Sequence, residues 1–255
     1  MNNAAKCPPE SLASRILYQN ERYLIVNKIP GEAVEGANTG MIDLPQQLDS
    51  LLSRTDASNR TGGLLLSRHP RRSSLPEAVN RLDVPVSGCT LFALSPEAQA
   101  AASALFRKGA VEKHYWAIIE APEGLQTMPS GELVHWIGED RRHSKSIAFD
   151  DEAPGRKKAL LRCRIRGRGD RYVFLDIELI TGRRHQIRAQ LAALGFHIKG
   201  DLKYGAKRSE KNGGIRLHAR SLRFQDPGPD GALIEVTAPP PLMDPLWEAF
   251  IAAAE

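Results

Sequence analysis

The sequence predicts an α+β protein, a single mixed domain on a largely antiparallel β-sheet with flanking helices. Three observations lead there. Runs with strand patterning outnumber stretches of helical period. Neither an internal repeat nor a hydrophilic linker divides the 255 residues. The 42% hydrophobic composition suffices, over that length, for one substantial core.

Residues 1–15 read as a flexible arm, too short for an accessory domain of its own, and 16–255 as the domain. "ILYQNERYLIVNKIPG" at 16–31 is a strand, a polar turn over Gln19 to Arg22, and a second strand stopped by Pro-Gly. Leu44, Leu48, Leu51 and Leu52 recur at helical spacing with Pro45 in the first turn, which predicts a short amphipathic helix. Residues 53–76, rich in Ser, Arg, Gly and Pro, read as a long irregular excursion. "CTLFAL" at 89–94 is a buried strand. The helix over 95–109 is fully punctuated: Ser95 as N-cap, Pro96 at the first helical position, Glu97 at the positive end, Gly109 as the stop.

"KHYWAIIE" at 113–120 and "ALLRCRIRG" at 159–167 are strands, the second alternating arginines with apolar residues. In "YVFLDIELI" at 172–180, Val173, Leu175, Ile177 and Leu179 share one face. "TGRRHQIRAQLAALG" at 181–195 switches to helical period, with Thr181 as cap, Gly195 as stop, and an apolar stripe of Ile187, Leu191 and Leu194. Arg184 and Arg188 share another stripe. "LIEVTAP" at 233–239 is a last strand, and a closing helix follows.

Lys and Arg number 35 against 30 Asp and Glu, a formal net charge of +5. That permits a polyanionic partner without requiring one. The arginines gather at 68–72, 139–145, 156–171 and 182–188, the distribution phosphate contacts would produce; the competing reading is solvated loops and strand edges. Cys7, Cys89 and Cys163 are an odd count with no close pair, which argues against a disulfide framework and a thiolate zinc site. The histidines show no metal spacing. The start lacks the apolar stretch of a signal peptide, and no run reaches the roughly 18 apolar residues of a membrane span. A reducing, cytoplasmic home is expected.

Three places carry chemistry. "NRLDVPVSG" at 80–88 displays Asp83 beside a Pro turn, although an acid there is most often a turn former. "KHYWAI" at 113–118 puts Lys113 and Tyr115 on one side of a strand, His114 and Trp116 on the other; a strand tyrosine is more often core than ligand platform. "TGRRHQIRAQLAALGFHIKGDLKYG" at 181–205 is a basic helix start followed by a Gly-punctuated loop.

These three stretches, in this order, resemble the RluA family of RNA pseudouridine synthases. The family pattern is an Arg-Leu-Asp triplet with a Ser-Gly turn, a Lys-x-Tyr strand, a Thr-Gly-Arg-x-His-Gln-Ile-Arg helix start and a Gly-Asp-x-x-Tyr-Gly loop. Here these stand as "RLDVPVSG", "KHY", "TGRRHQIR" and "GDLKYG", with "VNKIPGEAV" before them and "RLHARSLRF" and "VTAPPP" after. The resemblance implies a pseudouridine synthase-like fold and an isomerase that detaches uracil from C1′ of a uridine in ribosomal or transfer RNA, turns it, and rejoins it through C5. Neither cofactor nor metal is implied. Asp83 would be the catalytic carboxylate, either attacking C1′ or taking a sugar proton. Arg188 would be its charged partner, with Arg183 as fallback, and Tyr115 would stack on the base. Leu217 would be an apolar wall, and Arg81 would contact phosphates or fill the gap left by the flipped nucleotide. Arg183 and His185 would join the substrate-binding set.

The chain departs from the family pattern at Asn80, where His is usual, and at Val86, where Thr is commoner. An accessory RNA-binding domain ahead of the catalytic one is not expected, so RNA selection falls to 53–76 and 139–171. A monomer is favoured, no long heptad supporting a coiled coil. The alternative is a catalytically inactive RNA-binding or assembly factor on the same fold. An enzyme of another class, such as a phosphodiesterase or glycosidase, would need a second acid or a metal cluster near the first, and Asp201, the only second acid in a matching motif, reads instead as shaping its loop.

Overall fold

Eleven strands of this computed structural model join in one sheet, and nearly every pairing is antiparallel. Residues 11–35, 43–58, 75–121, 130–241 and 243–254 are described. The strands are β1 (Ile16–Gln19), β2 (Tyr23–Lys28), β3 (Glu77–Ala78), β4 (Ser87–Ala93), β5 (Glu112–Glu120), β6 (Gly131–Asp140), β7 (Lys145–Phe149), β8 (Lys157–Arg168), β9 (Tyr172–Leu179), β10 (Leu217–Gln225) and β11 (Leu233–Thr237). They run in the order β1-β2-β4-β10-β5-β9-β8-β6-β7, with β3 on β4 and β11 on β10. The helices are α1 (Leu44–Ser58), α2 (Pro96–Lys108), α3 (Gln186–Ala193) and α4 (Pro245–Ala254).

The one parallel pairing among the described residues sets Ser87 and Gly88 of β4 beside His218 and Ala219 of β10. It brings the backbones so close that a Cβ on Gly88 would overlap the Ala219 main chain, and Gly88 has φ +114°. This seam joins the half of the sheet carrying the Asp83 turn to the half carrying Tyr115.

Most expected elements form where the patterning puts them. Ser95 Oγ accepts from the Ala98 amide, and Gly109 closes α2 in the left-handed conformation. Leu44, Leu48 and Leu52 are buried in α1. Val173, Leu175, Ile177 and Leu179 bury one face of β9. Residues 1–10 lie outside the described residues, and Leu12–Arg15, expected within the arm, form a 3₁₀ turn. There Arg15 is buried and holds Glu32 at 2.7 Å. Cys7, the arginines at 68, 71 and 72 and most of the 53–76 excursion also lie outside the described residues; α1 runs on into its start.

Two corrections concern 181–195. Its helix begins only at Gln186, and Thr181 does not cap it. Thr181 Oγ1 instead accepts from the Leu160 amide at 2.8 Å and meets Gln186 Oε1 at 2.8 Å, tying the pre-helix turn to β8. Nor do Arg184 and Arg188 share a stripe: Arg184 is exposed in the turn, whereas Arg188 is buried. Leu194 is 36% exposed, so of the expected stripe only Ile187 and Leu191 are buried.

β6, β7 and β10 fall where patterning predicts no strand. β10 hides because a bulge between Ala219 and Ser221 breaks its alternation and because it buries polar groups. One of these is His218. Its Nε2 lies 3.0 Å from the Ala238 carbonyl, which can only accept, so Nε2 carries the proton and Nδ1 accepts from Ser87 Oγ at 2.9 Å. Burial holds this imidazole down to about 4, against the upward pull of the Ala238 carbonyl. In the unfolded chain the ring charges near pH 6.5. The unfolded state therefore binds more protons between the two values, so stability is highest above about pH 6.5 and falls toward pH 4. Urea midpoints between about pH 7 and about pH 4.5 are expected to fall more steeply in the wild type than in His218→Gln. Equal slopes would mean that the ring is not kept neutral.

Candidate active site

Asp83 sits in the turn between β3 and β4, and the backbone of that turn is held from several sides. Gly31 donates to the Val84 carbonyl at 2.9 Å, Ile215 to that of Pro85 at 3.0 Å, and Val86 to that of Asp83 at 2.9 Å. Beneath it Lys28 is fully buried, its Nζ 3.3, 3.0 and 2.7 Å from the carbonyls of Asp83, Val84 and Val86. Burial lowers this lysine to about 8, with Glu32 and Asp83 pulling upward. A lysine in an apolar strand reads as solvent-facing, and nothing in the local pattern marks it as a ligand for a turn 55 residues away.

Asn80 fills its place by hydrogen bonding alone: its amide accepts from Leu91 N at 2.7 Å and donates to the Cys89 carbonyl at 3.3 Å. Val86 is buried with Leu82, Tyr115 and Leu217 in the central core, so an apolar side chain suits the site where a hydroxyl is commoner.

Arg188, on the first turn of α3, is the hub. Its Nη1 donates to Asp83 Oδ2 at 2.7 Å. Its Nε and Nη2 grip Asp201 Oδ2 and Oδ1 at 2.7 and 2.8 Å. Asp201 is 1% exposed and Asp83 25%. Burial opposes the charge on Arg188, but the hydrogen bonds and charges of Asp201 and Asp83 outweigh it and raise its pKa. The geometry is the planar fork that a lysine cannot reproduce. Asp201 thus does more than shape its loop: its side chain fixes the arginine, while its carbonyl accepts from the Tyr204 and Ala206 amides. A Gly-flanked acid reads as a turn former, which hid this role.

Tyr204 locks the assembly to the β6–β7 hairpin. Its ring lies 4.8 Å from the Arg188 guanidinium carbon. Its hydroxyl accepts from the Ser146 amide at 2.9 Å and lies 2.8 Å from His185 Nδ1. His185 takes the left-handed conformation, φ 53°, at the helix entrance, and its Nε2 is 3.7 Å from Asp83 Oδ2. Burial first, then Arg188, Arg184 and Lys203, lower its pKa to about 4 despite Asp83, so the ring is neutral at pH 7.

Tyr115 and Leu217 come from adjacent strands β5 and β10 and line the same cleft as Asp83, a cavity of about 1670 Å³ that can admit a whole nucleotide and its neighbours. Burial, then the charge of Asp83, raise the Tyr115 phenol, which stays protonated. Lys113, two residues before it, is buried on the same wall. The structure does not bring Arg183 to Asp83: its Nε donates to the Lys158 carbonyl at 3.0 Å at the cleft rim. Arg81 is exposed and pairs with Glu35 at 3.1 Å. Among the described residues no group of three His, Cys, Asp or Glu side chains is placed to hold a metal ion.

A family model described as RNA pseudouridylate synthase matches residues 22–193. An uncharacterized RNA pseudouridine synthase of Zymomonas mobilis is 29% identical over 218 residues, covering 84% of this chain and 88% of its own. The dual-specificity RNA pseudouridine synthase RluA of Pasteurella multocida is 27% identical, covering 86% of this chain and 90% of its own. The solved structure of human RNA pseudouridylate synthase domain containing 4 superposes with a TM-score of 0.68 at 19% identity, over 95% of this chain and 94% of that one.

Proposed function

This chain belongs to the RluA family of RNA pseudouridine synthases, and on that premise we propose that Asp83 is the carboxylate with which it isomerises specific uridines in ribosomal or transfer RNA. The supporting observation is the Asp83–Arg188 pair at the cleft. Arg188 occupies Oδ2, while Oδ1 accepts no hydrogen bond among the described residues. One oxygen is anchored and the other is available to the sugar.

Breaking the C1′–N1 bond leaves its electron pair on uracil and positive character at C1′. A fixed carboxylate stabilises or traps that centre. The base turns, C5 bonds to C1′, and the proton lost from C5 is balanced by one gained at N1. Arg188 sets its positive charge 2.7 Å from Asp83 Oδ2 and fixes the orientation of the carboxylate. Tyr115 supplies a flat neutral ring against which uracil can rotate without directional bonds, and Leu217 closes the pocket beside it. His185, being neutral, would serve the base by hydrogen bonding rather than charge. Arg81, free at the rim apart from an exposed partner, can enter the stack in place of the flipped uridine or contact a phosphate. Arg183, which also lines the cleft, can contact the RNA there. Convergence of Asp83, Arg188 and Tyr115 on one cleft favours an active enzyme over an inactive RNA-binding factor.

Purified protein incubated with unmodified ribosomal and transfer RNA transcripts is expected to create pseudouridine at one or a few discrete uridines, read by carbodiimide modification and primer extension. Absence of new stops in both RNA pools would overturn this substrate assignment.

A further inference from the structure

The arginine-rich strand β8 and the mouth of the cleft differ in whether their cations meet acids. On β8, Arg162 faces Glu132 and Glu178 at 3.5 and 3.2 Å. Arg164 and Arg166 both face Asp176, at 3.8 and 2.7 Å. These three arginines, in the region expected from sequence to help select RNA, each face a carboxylate.

Arg184 and Lys203 line the cleft, Lys145 lies close enough to act on the charge of Lys203, and the three come from three elements without such partners. Lys145 begins β7, Arg184 stands in the turn before α3, and Lys203 lies in the 3₁₀ turn Leu202–Tyr204. None has a carboxylate within 4.0 Å among the described residues. Arg184 Nη2 donates to Ser144 O and Oγ at 3.1 and 3.0 Å, which aims the guanidinium and leaves its other N–H groups open. Ser144 takes the left-handed conformation, φ 51°, to present them at the hairpin tip. Lys145 Nζ lies 5.7 Å over the Tyr204 ring. Partial burial, then the fields of Arg188, Arg184 and Lys145, lower the pKa of Lys203 despite Asp83. Beneath them, Asp83 and Asp201 are both taken up by Arg188. Two carboxylates against one guanidinium leave one negative charge under three positive ones.

Like charges gathered this way repel unless an anion sits among them. Arg184 and Lys203 also fall on positions that the Thr-Gly-Arg-x-His-Gln-Ile-Arg and Gly-Asp-x-x-Tyr-Gly patterns leave open, so they are features of this chain rather than of the pattern. Resting on the RNA substrate proposed above, we propose that Arg184, Lys203 and Lys145 grip backbone phosphates flanking the target uridine, with the β6–β7 hairpin as the arm that positions them. Hairpin and catalytic carboxylate are then linked through Ser146, Tyr204 and Arg188.

The test is fluorescence anisotropy with a labelled short RNA stem-loop carrying a uridine-rich loop, between about 50 and about 400 mM NaCl. The triple variant Lys145→Gln, Arg184→Gln, Lys203→Gln is expected to bind about 30-fold more weakly at the low-salt end. Its plot of log affinity against log salt should be shallower by about two, since each phosphate contact contributes roughly 0.7–0.9. Arg184→Lys, which keeps the charge, should retain most of the slope, and Arg162→Gln should match the wild type. A triple variant with wild-type slope and affinity within twofold would overturn the proposal while leaving the synthase reading intact, as would an equal loss in Arg162→Gln. A wild type that binds this RNA without salt dependence would sink both. Thermal melting of each variant identifies any loss due to unfolding.

Discussion

Asp83→Asn is expected to lower single-turnover pseudouridine formation by roughly 10⁴-fold, while the protein still folds and still binds RNA. The substitution is nearly isosteric. The amide oxygen can still accept from Arg188 Nη1, which now donates to Oδ2 at 2.7 Å, so the turn keeps its anchor. What disappears is the negative charge and the free oxygen facing the sugar, the two properties on which trapping or stabilising C1′ depends. The measurement is product formation with enzyme in excess over RNA, beside a binding isotherm and a melting curve. A rate within tenfold of wild type would move the chemistry to another group. Asp201, at 1% exposure and clasped by Arg188, is poorly placed to take over.

Arg188→Leu is expected to damage both stability and activity. The Asp201 carboxylate would be left almost wholly buried without the two hydrogen bonds it takes from Arg188, and removing one partner of a buried ion pair costs about 3–5 kcal/mol. The Tyr204 ring, now 4.8 Å from the guanidinium, would face an aliphatic chain. Asp83 would lose the hydrogen bond that anchors it and the positive charge beside it, and a rate loss of at least about 10³-fold is anticipated. Urea unfolding gives the first quantity and single-turnover kinetics the second. The double variant Arg188→Leu, Asp201→Asn separates them, because removing the stranded charge should restore stability but not activity. If Arg188→Leu melts like the wild type, the buried carboxylate does not depend on this arginine.

Much of this was legible in the sequence, for identifiable reasons. α2 announces itself because Ser95, Pro96 and Gly109 each satisfy a local requirement of a helix end. β9 is visible because Val173, Leu175, Ile177 and Leu179 alternate with the acids Asp176 and Glu178 on the other face. β6 and β10 were hidden because they bury polar groups that are satisfied only in the folded chain. His135 of β6 finds Gln190 of α3 at 3.0 Å, and His218 of β10 finds Ser87 and Ala238. Such residues read as surface until their partners are known. The start of α3 was misread because Thr181 is spent on β8, and the helix opens through His185 in a conformation that few residues other than glycine take up.

The site divides in the same way. The pairing of Asp83 with Arg188 spans 105 residues, beyond any spacing argument, and was expected from motif resemblance alone. Arg183, the fallback, faces β8 instead. The supporting residues were missed by sequence reasoning: Lys28 beneath the turn, Asp201 behind the arginine and Tyr204 joining both to the hairpin. Each is polar, buried, and meaningful only through its partners.

The most direct test of the central claim is a transcriptome-wide pseudouridine map of the source organism with the gene intact, deleted, and replaced by an Asp83→Asn version. One or a few sites should be present in the first strain and missing from both others. Sites that vanish on deletion but persist with Asp83→Asn would contradict the assignment of the carboxylate, and three identical maps would contradict the proposed function altogether.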